Sequence, residues 1–133
     1  MPDDVVLNKA ATIERCVRRV REEAALDPAL ADQTRQDAVV LNLQRACQAA
    51  IDLAMRRARA EGVGVPQTSR DAFGLLAEAD LLPVELGERM QKMVGFRNVA
   101  VHDYQALSLP IVRSIVAERL GDFEAFVAWA LAE

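Results

Sequence analysis

The chain has 133 residues, two cysteines, one histidine, one tyrosine and a formal net charge of −4. That length fits a single domain spanning residues 1–133, and the acidic balance excludes a general nucleic-acid binder with a basic footprint, leaving only local contact with phosphate. Apolar residues make up 52% but aromatic ones only 5%, so the core must be aliphatic. The dominance of Ala, Leu, Arg, Glu and Gln predicts an all-α protein. Cys16 and Cys47 show no metal spacing and fall on apolar faces, which makes them core residues. No signal-peptide pattern opens the chain, and no apolar run approaches the ~20 residues of a bilayer span. The expectation is a cytoplasmic protein without membrane, metal or cofactor.

The predicted elements follow in chain order. Ile13, Cys16, Val17, Val20 and Ala24 recur at helical spacing, with Arg15, Arg18, Arg19, Glu22 and Glu23 opposite. They predict a first helix from about Asp4 to Ala25. Asp27-Pro28 and the polar stretch to Gln33 predict a turn. A second helix, about Arg35 to Glu61, is apolar on nearly every side through Val39, Val40, Leu41, Leu43, Ala46, Cys47, Ala50, Ile51, Leu53 and Ala54. Such a helix is buried on most faces, which in a small chain requires a central position or a subunit contact. A narrow polar strip of Asn42, Arg45, Asp52 and Arg56 runs along it. The strip ends in Arg56-Arg57-Ala58-Arg59, near the helix C-terminus where the dipole favours cations.

Gly62 to Pro66 breaks the chain. Thr68-Ser69-Arg70-Asp71 has the form of a capping box and predicts a short helix from about Ser69 to Ala79. Pro83 starts a third long helix reaching about Val101, with Leu86, Met90, Met93 and Val94 inward. Asp103 to Ser108 reads as a loop. Ser108 is a candidate cap for a last helix, about Leu109 to Leu131, whose core face is Ile111, Val112, Ile115, Val116, Leu120, Phe123, Phe126 and Val127. The predicted architecture is an antiparallel bundle of four long helices plus one short one.

The chemistry gathers in Gly95-Phe96-Arg97-Asn98-Val99-Ala100-Val101-His102-Asp103-Tyr104. Here the only side chain that titrates near neutral pH lies close to a permanent cation suited to phosphate. Residues five apart on a regular helix diverge by about 140°. Arg97 and His102 therefore share a site within one chain only if the helix frays or ends near Val101. Asn98 and His102, four apart, share a face, so Asn98 can orient the imidazole or bond a phosphate oxygen. In-line attack of an RNA 2′-hydroxyl gains from a base, an acid and a cation on the developing charge. A two-fold dimer supplies two histidines and two arginines, provided the motifs face each other across the axis. Spacing alone leaves a plainer reading open: a structural histidine, an Arg97 paired with an acid, and a Tyr104 that anchors packing. The arginines at 18–19, and Arg45, Arg56, Arg57 and Arg59, divide in the same way between a solvated face and contact with RNA.

Arg97-x4-His102-x-Tyr104 resembles the R-x4-6-H motif of the HEPN superfamily, in the form found in HepT-type ribonuclease toxins. Two further stretches resemble the same family. One is Leu41-Asn42-Leu43-Gln44-Arg45-Ala46-Cys47-Gln48-Ala49-Ala50-Ile51-Asp52-Leu53-Ala54. The other runs from Ser69-Arg70-Asp71-Ala72-Phe73-Gly74-Leu75-Leu76 on to Lys92-Met93-Val94-Gly95-Phe96-Arg97-Asn98. The resemblance covers almost the whole chain, without departure from the motif. It implies a HEPN-like helical bundle acting as a dimeric, metal-independent endoribonuclease toxin of a bacterial toxin–antitoxin pair, with transfer or messenger RNA as substrate. It implies Arg97 and His102 as the catalytic pair, assisted by Asn98. It also implies a nucleotidyltransferase antitoxin of the MntA type, which attaches AMP to Tyr104. The alternatives are a non-catalytic HEPN-like module that binds a nucleotide or a partner, and a purely structural dimerisation bundle.

Overall fold

The protein, seen in a computed structural model, is described over residues 2–132, all of its regular structure there being helical. Helix α1 (Asp4–Leu26) is capped by Asp3, whose carboxylate accepts from the Val6 amide at 3.0 Å. Its buried stripe is Ala10, Ile13, Cys16, Val17 and Val20, the 3.6-residue face read from the sequence. The link to the next helix is less polar than its sequence implies. Leu30 takes a left-handed backbone (φ 50°) and is fully buried. That conformation costs a leucine roughly 1–2 kcal/mol, and burying the side chain returns about 1.5–3 kcal/mol.

Helix α2 (Gln33–Glu61) begins at the Asp32 cap, two residues before the predicted start, and closes at Gly62 in the left-handed region (φ 64°). It packs against α1 and also against the helices that follow: α3 (Ser69–Glu78), α4 (Val84–His102) and α6 (Leu120–Leu131). Ala46, Ala49, Ala50, Ala54 and Ala58 are all buried along it, and side chains this small let several neighbours approach closely. Thr68 and Asp71 complete the capping box of α3, each side chain bonding the other's backbone amide at 3.2 Å. Pro83 is the N-cap residue of α4, one position before the helix itself.

Four expectations for the C-terminal third are corrected. A 3-10 turn (Tyr104–Ala106) fills the predicted loop. The single last helix is two, α5 (Leu109–Glu118) and α6, divided at Arg119 (φ −119°, ψ 0°), with Gly121 just beyond, where helix propensity is poor. The break turns Leu120 and Asp122 inward together, and Asp122 is buried beside Arg89 at 3.6 Å. Ile111, expected in the core, is exposed in the first turn of α5. Ser108 makes no capping hydrogen bond, and Pro110 occupies the first turn instead. No helix among the described residues is long and apolar enough to cross a membrane.

The few aromatics lock α6 onto α2 and α3. Phe126 meets Phe73 edge-on (centroids 5.6 Å apart) and Trp129 at 5.3 Å. The Trp129 indole donates to the Leu81 carbonyl at 2.7 Å. Phe126 is fully buried at the centre of this cluster, so Phe126→Ala is expected to destabilise the protein by about 3–5 kcal/mol, read by urea unfolding.

Candidate functional site

Arg97 sits on the side of α4 that faces α2. One guanidinium nitrogen (Nη2) donates to Gln48 Oε1 at 2.5 Å and the other (Nη1) to Asn98 Oδ1 at 2.9 Å. Both acceptors are neutral amides, and among the described residues no ion pair reaches Arg97. Its Nε is buried without a hydrogen-bond partner among the described residues. Beneath it lies Cys47, whose Sγ–H points to the Met93 carbonyl at 3.6 Å. Burial pushes this thiol up to about 12 despite the nearby guanidinium, so it is an inert core group.

His102 ends α4 and is exposed. The helix stays regular through it, so the fraying that would bring it round to Arg97 does not occur. The two side chains leave the helix about 140° apart, and no hydrogen bond joins them. Asn98 lies between them in angle, with its carbonyl oxygen committed to Arg97 and its amide nitrogen left without a partner among the described residues. Val101 also falls in that sector and is 43% exposed, as is Leu41 of α2 at 42%.

Tyr104 opens the 3-10 turn and donates its phenolic hydrogen to the Asp37 carboxylate on the first turns of α2. Gln33 bonds the same carboxylate oxygen at 2.9 Å. Partial burial, and then the hydrogen bond to Asp37, push the phenol up to about 12.

The four α2 arginines that are candidates for RNA contact, Arg45, Arg56, Arg57 and Arg59, do not gather here. Arg56 pairs with Asp3 at 2.5 Å. Arg57 lies over the Trp129 ring at 4.6 Å and donates to the Ala130 carbonyl. With Arg59, these two lie on the far side of Gln48 from Asp37, leading away from Tyr104. Arg45 alone falls between Gln48 and Asp37, exposed and without an ion pair among the described residues.

Residues 9–129 match the family model described as ribonuclease HepT-like. The chain belongs to that family. It is 47% identical over 126 residues to the mRNA nuclease HepT of Shewanella oneidensis, covering 94% of this chain and 95% of the relative. Among solved structures it is similar to a tri-AMPylated Shewanella oneidensis HEPN toxin in complex with MNT antitoxin. There the TM-score is 0.93 at 46% identity, over 99% of this chain and 100% of that one. A toxin–antitoxin complex with AMP-PNP matches at a TM-score of 0.93 and 45% identity, over 98% and 100% of the two chains.

Three residues of this HepT-like chain at the site escape a reading of its sequence. Gln48 and Asp37 belong to the α2 strip but bear no recognisable pattern until α4 and the 3-10 turn are docked on it. Arg70 of α3 lies against α4 where Gly95 leaves room: a Cβ at residue 95 would meet Arg70 Nη2 at 2.6 Å. Gly95 and His102 are two turns apart on one stripe, so Arg70 adds a cation on the histidine side.

Because Tyr104 is the only tyrosine, its titration can be read directly by tyrosinate absorbance. The midpoint is expected to lie well above the usual ~10, and Asp37→Asn should return it toward that value. The sign for stability follows. Below the unfolded value near ~10 the phenol is protonated in both states and the Asp37 bond stabilises fully. That contribution fades as pH climbs through the folded value of about 12.

Proposed function

We propose that this protein is an endoribonuclease toxin, cleaving RNA at a cleft shared by two copies of the chain and silenced by AMP on Tyr104. One observation carries the reading: an arginine with no acid partner and an exposed histidine leave the same helix end in diverging directions. Within one chain the two side chains point about 140° apart. A second copy meeting the first over Asn98, Val101 and Leu41 would bring each Arg97 toward the other copy's His102, and both apolar residues of that patch are exposed. The family, and a relative named as an mRNA nuclease, support RNA as substrate and favour messenger over transfer RNA.

In such a cleft Arg97 holds the scissile phosphate and stabilises the charge that builds on it. His102 transfers the proton as the 2′-oxygen attacks phosphorus and the bond to the 5′-oxygen breaks. The free Asn98 amide nitrogen donates to a phosphate oxygen, and Arg45 and Arg70 meet the flanking backbone. No step here draws on a metal. The partner is a nucleotidyltransferase antitoxin that transfers AMP from ATP. The Tyr104 oxygen attacks the α-phosphorus, pyrophosphate leaves, and Asp37 already faces the phenolic proton. The AMP group adds charge and bulk beside the cleft, and both oppose an RNA phosphate. The solved complexes of similar toxins, one AMPylated and bound to an MNT antitoxin, support this partner.

A second reading, a partner-binding module without catalysis, is favoured by an apolar groove of about 420 Å³ between α4 and α5, which contains neither Arg97 nor His102. Cleavage assays separate the two. Cleavage is expected to persist in EDTA and to vanish in His102→Ala while the melting temperature holds. Intact RNA under the wild-type protein, with Tyr104 confirmed unmodified by mass, would favour the module.

A mixture of Arg97→Ala and His102→Ala chains is expected to recover activity, with about half the wild-type rate per mixed dimer because one of two sites is whole. No recovery would place both groups of each site on one chain. With a cognate nucleotidyltransferase and labelled ATP, wild-type protein should take up AMP and Tyr104→Phe should not.

A further inference from the structure

The polar strip on α2 has a use that the charges of its arginines do not explain. Asp52 on that strip receives Lys9 of α1 on one carboxylate oxygen (2.8 Å) and the Gln48 side-chain amide on the other (2.9 Å). Gln48 Nε2 is thereby committed as donor, which turns Oε1 toward Arg97, 2.5 Å away. Three helices are joined in one line: Lys9, Asp52, Gln48, Arg97.

We infer that Gln48 is the positioning residue for the Arg97 guanidinium, and that it acts by fixing this cation without neutralising it. The inference rests on the ribonuclease reading above. An arginine buried in part at a helix contact usually meets a carboxylate, which holds it well but also cancels the charge that a phosphate needs. Here the nearest carboxylate on the line, Asp52, stands one residue back, and its own charge is offset by Lys9. The acceptors that touch the guanidinium, Gln48 and Asn98, carry none. The buried Nε adds to the case: a buried donor without a partner among the described residues destabilises the fold, so stability alone does not account for an arginine held in this pose.

The chemistry separates this role from a structural one. Gln48→Glu would give Arg97 a carboxylate partner and place a competitor where the phosphate must bind, while losing the amide that donates to Asp52 and setting a second carboxylate beside it. Gln48→Met would keep the volume and remove the acceptor. Lys9→Met, at a residue whose side chain is 39% exposed, would leave the packing alone and uncover the Asp52 charge behind Gln48.

The experiment measures kcat, KM and thermal unfolding for RNA cleavage by these three variants. The expected result for Gln48→Glu is a fall in kcat/KM of about 100-fold in protein that is still folded at the assay temperature. Gln48→Met should lose kcat, and Lys9→Met should raise KM several-fold at unchanged kcat. Full activity in Gln48→Glu overturns the inference, and so does a loss of activity that merely tracks falling stability across the series. Should Gln48→Glu fail to fold, Lys9→Met decides, an unchanged KM being the overturning result. A wild-type protein that cleaves no RNA, and binds it no better than Arg97→Ala does, defeats the ribonuclease reading and the inference with it. Wild-type cleavage matched by Gln48→Glu defeats the inference alone.

Discussion

The structure depends on α2 being buried on nearly all sides while leaving one strip open. Its buried alanines let α1, α3, α4 and α6 crowd around a single axis. At 3.6 residues per turn, what is left is a line of residues at steps of three and four: Asp37, Leu41, Arg45, Gln48 and Asp52. Polar residues of α2 off this line, such as Asn42 and Arg57, turn their donors to backbone carbonyls. The groups on which the site is built therefore share one strip, and they owe that alignment to the packing of the other faces. The antiparallel course of α4 then sets the order of contact, with Arg97 reaching Gln48 and the residues after the helix reaching Asp37.

The same regularity divides the motif. A helix that held both Arg97 and His102 on one face would need a spacing of three, four or seven. A spacing of five sends them to different sides, and α4 does not bend to correct it. Within one chain the divergence reads as a defect. Across the two-fold axis of the proposed dimer it would become a reach, each side chain extending past its own helix toward the other copy. The sector between them holds Asn98 and Val101, a half-satisfied amide and an exposed valine, which suits a surface meant to be covered better than one meant for water.

Most of the fold is legible because apolar spacing is dense in this chain. The stripe of α1, the capping box at Thr68 and Asp71 and the stop at Gly62 are each local in cause and could be read locally. The break at Arg119 was hidden because Leu120, Phe123, Phe126 and Val127 continue the helical period of Ile115 almost unchanged, and periodicity does not register a single residue that leaves the helix. Leu30 was hidden for the opposite reason, as one apolar residue in a polar turn carries no period. At the site, Arg97, Asn98, His102 and Tyr104 stand out by residue type. Gln48 and Asp37 do not, since a glutamine or an aspartate on a helix surface is common and only the docking of α4 and the turn after it gives them partners.

Charge links these observations. With a net charge of −4 the protein does not draw RNA from a distance, so recognition falls on contacts within about a Debye length, roughly 8 Å at physiological salt. Many of its cations are already spent: Lys9, Arg19, Arg21, Arg35, Arg56 and Arg89 all face carboxylates. Arg97 is held by neutral amides, which leave its charge uncancelled. In a cleft governed by so few free charges, a single added negative group weighs heavily. A carboxylate at position 48 and a phosphodiester on Tyr104 are then versions of one perturbation, each setting a fixed anion on the α2 strip where a mobile one has to bind. The proposed switch needs no change of fold, because AMP sets its charge and bulk beside the place where an RNA phosphate would bind.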